Sequence, residues 1–249
     1  MSRRDIVVLS VTLPLLLLIT VWIIRLHVVS DQLTGNEVAL VSVSPTSSPE
    51  PVATAVSTGP PQVAPAWVAD VAARTGIPAR ALTGYADAAL TIGVSRPRCH
   101  LTWTMLAGIG AIESGHGRSG GAQLRADGTT TIRILGPALN GTHGNRAVPA
   151  TAEGVRLDGD PRWDHAVGPM QFIPSTWSHW GVSASGREPN PNSIDDAALA
   201  AGDYLCSAGG DLETAAGWRA AVGAYNAPVA YEIAVTNAAN RYAHASMGS

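Results

Sequence analysis

Residues 101–118, LTWTMLAGIGAIESGHGR, form an apolar run that meets one carboxylate, Glu113, before glycine interrupts it. Leu101, Met105, Ile109 and Ile112 recur at helical steps and predict one buried face. Gly115 and Gly117 predict where that helix stops. A chain carrying such a segment has to pack other helices around it. Glu113 falls in the last turn, where the helix dipole disfavours a negative charge by roughly 0.3 to 1 kcal/mol. Together with partial burial, this predicts a pKa raised towards what a general acid needs near neutral pH. The competing reading is a solvated acid at a frayed helix end, or one paired with Arg118.

The 249 residues divide into three stretches. Residues 6–24 are almost wholly apolar and long enough to cross roughly 30 Å of hydrocarbon as a helix. Arg3 and Arg4 precede them, which predicts a cytoplasmic stub and transmembrane anchor over residues 1–29, with everything after it outside. A cleaved signal peptide is the alternative, but residues 27–34, HVVSDQLT, offer no small-x-small cleavage site. Residues 30–65 are rich in Val, Ser, Thr, Pro and Ala and hold no aromatic residue. They are expected to be a flexible, disordered linker reaching roughly 30 to 35 Å. Residues 66–249 remain as the folded domain.

That domain reads as mainly α. Helices are expected over residues 66–75, 79–91, 100–113, 212–225 and 228–242. Another is capped by Ser193, in the pattern Ser-Ile-Asp-Asp, and ends at Gly209-Gly210. Gly168-Pro169 is read as opening a short helical segment, and Pro174 as beginning the next. Residues 119–161, rich in Gly, Asp, Thr and Asn, form a long loop or β-hairpin excursion, with 129–135 its strand-like run.

All 16 basic residues are arginine, against 19 acids, and the net charge of −3 leaves no basic surface for nucleic acid. Cys99 and Cys206 lie on the expected exported side, where a bridge is favoured over two buried free thiols. Trp103, Trp163, Trp177, Trp180 and Trp218 read chiefly as core, with one or two free to stack on sugar rings.

Three segments stand out in order: IESGHG, AVGPMQFIPSTW and AVGAYNAP. This triple resembles the lysozyme-like lytic transglycosylases, and DDAALAAGDYLCSAGGDL is similar to the actinobacterial lytic murein transglycosylase B type. The resemblance spans roughly residues 66–242. It implies a lysozyme-like domain that cuts peptidoglycan between N-acetylmuramic acid and N-acetylglucosamine without water, leaving a 1,6-anhydro end. Glu113 then matches the catalytic acid and base. Ser114, Met170 and Gln171 match substrate contacts, and Tyr225 with Asn226 matches the pair that orients the acid and an N-acetyl group. The implied partner is the glycan strand, at the outer face of the membrane, and no cofactor is implied.

One carboxylate suffices for such chemistry, because the substrate supplies its own nucleophile, whereas ordinary glycosidases need two. Asp164 is the nearest second carboxylate; its plainer reading is an exposed or capping Asp. The stretch GVSASGREPNPNSIDD lacks the carboxylates of a calcium loop, and Asp158-Gly159-Asp160 holds too few ligands for a metal. His100, His116, His143, His165 and His179 show no paired metal spacing and read as surface or loop residues, with His116 placed to tune the acid. A muramidase that uses water and a non-catalytic wall-binding module are the rival functions.

Overall fold

The computed structural model describes residues 45–54, 60–142 and 146–247. The expected anchor and the first part of the expected linker lie outside them. No helix among the described residues is long and apolar enough to cross a membrane. The domain is mainly α, with eight α-helices and one two-stranded sheet among those residues.

Helix α1 (Pro65–Thr75) starts on a proline, whose missing N–H is no loss in a first turn, and ends at Gly76 in the left-handed conformation. Helix α2 (Ala79–Ser95) follows Pro78. Helix α3 (Trp103–Ser114) is the central element, begun by Thr102, whose hydroxyl accepts from the Met105 amide at 3.3 Å. It is buried on nearly all sides from Trp103 through Gly110 rather than along one face. Of the four stripe residues Ile112 alone emerges, 42% exposed, where the helix end reaches the surface.

Around α3, the short helices α4 (Ala152–Leu157) and α5 (Pro174–Trp180) belong to the excursion and its exit. Helices α6 (Ile194–Gly209), α7 (Ala215–Tyr225) and α8 (Val229–Met247) complete the bundle. The most extensive contacts are α3 on α8, α2 on α6, and α6 on α7. Gly108 permits the first of these: a Cβ there would stand 2.8 Å from the Val235 carbonyl oxygen. Ser193 caps α6 through the Asp196 amide, as its sequence predicts. Cys99 and Cys206 are bridged, with Cα atoms 5.4 Å apart, tying the approach to α3 onto the end of α6.

The excursion differs from its expectation in two places. Residues 129–134 do not form a strand, because the Thr130 and Thr131 amides are taken by the Asn192 and Gln123 carbonyls. Strand β1 is Leu135–Ala138 instead and pairs antiparallel with β2 (His165–Val167). Pro137, expected to bound a strand, lies within β1, which a two-stranded edge tolerates. The expected helix at Gly168 is a four-residue turn: Val167 and Phe172 exchange backbone hydrogen bonds at 2.8 and 3.0 Å across residues 168–171.

The linker boundary also moves. Residues 45–54 and 60–64 lie on the helices rather than apart from them. The Thr46 amide donates to Asn240, and Trp103 donates its indole N–H to the Pro49 carbonyl at 2.9 Å. The Val63 amide donates to Asp87, and Val63 itself is 5% exposed. Prolines here have already lost much of their conformational freedom, so few contacts suffice to hold the segment down.

Candidate active site

Helix α3 ends in a left-handed turn that the sequence builds from glycine. Gly115 adopts φ 57°, the His116 amide reaches back to the Gly110 carbonyl, and the Gly115 amide bonds to Ala111. This places Glu113 one turn from the exit, half-buried, on the wall of an open depression of about 350 Å³. Ile112, Ser114, Gly115, Arg118 and Ser119 line the rest of it. The Tyr231 hydroxyl, from the first turn of α8, donates to Glu113 Oε1 at 2.5 Å. Burial pushes the Glu113 carboxyl up to about 7, against the opposing pull of the Tyr231 hydrogen bond, which favours the charged form. The group therefore exchanges its proton near neutral pH. It is not paired with Arg118, whose Nε donates to the Gly115 carbonyl instead.

The three motif segments are joined here by two hydroxyl-to-backbone bonds. Ser114 Oγ donates to the Pro169 carbonyl at 2.6 Å and accepts from the Gly117 amide at 2.7 Å. Tyr225 donates to the Met170 carbonyl at 2.7 Å, clipping the end of α7 to the same 168–171 turn. Tyr225 also lies close enough to Glu113 for the carboxylate to raise its own pKa further, after burial.

These bonds change the roles expected for several residues. Ser114 is buried with its hydroxyl engaged, so it holds the turn and presents no free group to a ligand. Met170 has no exposed side chain and fills the core. Gln171, in the left-handed region at φ 52°, turns its amide back onto the Gly168 carbonyl at 3.0 Å and closes its own turn. Asn226 is exposed just past the end of α7. The group that holds the acid is Tyr231, six residues beyond Tyr225. Nothing local in PVAYEIAV marks that tyrosine, because its partner lies 118 positions away.

Asp164 is fully buried rather than exposed, and accepts from the Thr151 amide at 3.0 Å, supporting the start of α4. Its carboxylate is thus enclosed, where no substrate reaches it. His116 is likewise a core residue: Nδ1 meets the Tyr85 hydroxyl at 3.2 Å and Nε2 the Tyr242 hydroxyl at 2.9 Å. Burial holds it down at about 4, so the ring is neutral and braces the 115–118 turn from behind instead of touching the acid.

The remaining polar motifs are structural. Asp196 accepts from the Ala184 and Asn190 amides, organising the loop before α6. Asp158 accepts from the Asp160 and His165 amides, and His165 is half-buried between Gly136 and Asp160 rather than on an open surface. Among the described residues, His100, Asp211 and Glu213 bring three potential ligand atoms within 4.8 Å of one another, all on the exposed surface. His100 Nδ1 already bonds Asp211 at 2.7 Å.

Aromatic rings extend the neighbourhood of Tyr225. Phe172 stands 5.9 Å from it and 5.4 Å from Trp177, while on the other side Tyr204 and then half-buried Trp180 follow at 5.9 and 5.4 Å. Trp103, Trp177 and Trp218 are core, as expected of most tryptophans in this chain. No protein-family model, curated protein or solved structure matches the chain.

Proposed function

We propose that this chain is a peptidoglycan lytic transglycosylase of lysozyme-like architecture, held at the membrane by its apolar N-terminal segment with the domain facing the cell wall. The observation that carries the reading is Glu113, a lone half-buried acid with a pKa near 7, hydrogen-bonded by Tyr231 on the wall of an open depression. The three-segment resemblance adds the substrate class.

In this mechanism the protonated Glu113 donates to the glycosidic oxygen, and the bond from that oxygen to the muramic C1 breaks. The acetamido oxygen of the same sugar stabilises the cationic centre. Its C6 hydroxyl then attacks C1, and the Glu113 carboxylate accepts the hydroxyl proton, which restores the acid and leaves a 1,6-anhydro ring. Tyr231 stabilises the carboxylate between the two proton transfers. A single residue serves as acid and then base. Enclosure of Asp164 disfavours a two-carboxylate hydrolysis through that residue.

Mass spectrometry of muropeptides released from purified cell wall by the full chain tests this. Anhydro-ended products that vanish with Glu113→Gln are expected. Reducing-end products would instead identify a hydrolase, and no release by the wild-type chain would leave a wall-binding module.

A further inference from the structure

The depression beside Glu113 carries a second charged side chain. Arg118 lines it and is exposed. Its backbone N–H donates to the Ser114 carbonyl at 2.9 Å, and its Nε to the Gly115 carbonyl at 2.8 Å. The turn beneath it is braced by Ser114 Oγ on the Gly117 amide and by His116 between two tyrosines. Both ends of the side chain's root are therefore fixed, which removes much of the rotamer freedom a surface arginine loses on binding. Nη1 and Nη2 are left for a ligand.

Arg74, Arg80, Arg96, Arg156 and Arg219 each have a carboxylate within 4 Å; Arg118 is one of several described arginines with none at that distance, and of these it is the one that lines the depression with Glu113. Glu113 takes its hydrogen bond from Tyr231, so Arg118 is not the counter-ion of the acid. A pinned planar fork that faces the same hollow as the acid, with no protein carboxylate of its own, matches a carboxylate on the ligand.

We propose that Arg118 is a specificity determinant that binds a carboxylate borne by the substituent of the amino sugar at the cleavage point, so that the site prefers anionic glycan strands over neutral ones. This rests on the glycan-cleaving reading of Glu113. The carboxylate has two sources with the same chemistry: the stem peptide, or the lactyl group once that peptide is removed.

The test compares the full chain with Arg118→Ala and Arg118→Lys, each also in the Glu113→Gln background so that binding is read without turnover. Three ligands are used: peptide-bearing strands, strands stripped of peptide by an amidase, and neutral N-acetylglucosamine oligomers. Arg118→Ala is expected to weaken binding of carboxylate-bearing strands about tenfold, and to abolish the salt sensitivity of that binding. Affinity for the neutral oligomer is expected to be the same with and without the guanidinium, and Arg118→Lys to recover part of the loss. A loss confined to peptide-bearing strands identifies the stem peptide, a loss confined to stripped strands identifies the lactyl carboxylate, and a loss on both shows that the guanidinium takes either carboxylate. Equal weakening on all three ligands, or none on any, overturns the proposal. An inert wild-type enzyme would remove the cleavage reading while this binding comparison still gives its answer.

Discussion

Replacing Glu113 by glutamine should make the protein more stable at alkaline pH and leave it unchanged in acid. The carboxyl moves from its ordinary 4.5 to about 7 on folding, chiefly through burial. The folded state therefore holds the proton more tightly than the unfolded chain. Below the unfolded value both states are protonated and there is no penalty. Between the two values the unfolded chain ionises first and stability falls with rising pH; above the folded value the full penalty persists. At about 1.4 kcal/mol per pH unit, the gap corresponds to roughly 3 kcal/mol, reduced to roughly 2 because the side chain is only half-buried. Glutamine has nearly the same shape, keeps an oxygen for the Tyr231 hydroxyl and cannot ionise. Thermal unfolding of both proteins is measured at several pH values. The variant should melt about 4 to 8 °C higher near pH 8, with no difference near pH 4. A difference that does not vary with pH, or a variant less stable in alkali, would refute the assignment of Glu113 as a desolvated acid.

Tyr231→Phe removes a donor that favours the carboxylate, so the alkaline limb of the kcat–pH profile should move up by about one pH unit; a limb that stays or moves down would count against this. Gly110→Ala sets a methyl group onto the Tyr85 hydroxyl. Denaturant titration should show a loss of about 1 to 3 kcal/mol or more. The Cys99–Cys206 bridge spans 107 positions, and reducing it should lower stability by about 2 to 4 kcal/mol; an unchanged melt with reductant would contradict that. His116, held at about 4 by burial, resists a proton the unfolded chain accepts. Stability should thus fall as pH drops from about 6.5 through the folded value, and His116→Gln should flatten that slope, read from acid titration of the far-ultraviolet signal.

What the sequence reveals here divides by range. Helix starts and stops are local chemistry, and Ser193, Gly76 and Gly115 each mark an end that the structure carries, whereas the start expected at residue 100 falls at Trp103, capped by Thr102. The glycine after Glu113 likewise foretells an acid at a helix exit. The departures at residues 129–134 and 168–171 have different causes: the second segment closes locally, with Gly168 and Gln171 in the left-handed region between Val167 and Phe172, whereas the Thr130 amide is taken by Asn192, far along the chain, which no local pattern shows. The same limit hides the site's wiring. Ser114, Met170 and Gln171 are recognisable as a motif, yet a motif does not say that the first binds a carbonyl, the second fills the core and the third closes a turn. Residues 45–54 and 60–64 mislead by composition, since a Pro- and Ser-rich stretch can still lie down when Trp103, Asp87 and Asn240 offer it partners.

The hydroxyl that steadies Glu113 belongs to the last helix of the bundle, while the acid itself sits near the middle of the chain. A polypeptide emerging amino end first thus holds its buried acid long before it holds the group that hydrogen-bonds it. Until α8 docks against α3, the pair does not exist, and loss of that helix would silence the site without touching a residue of the motif that surrounds Glu113.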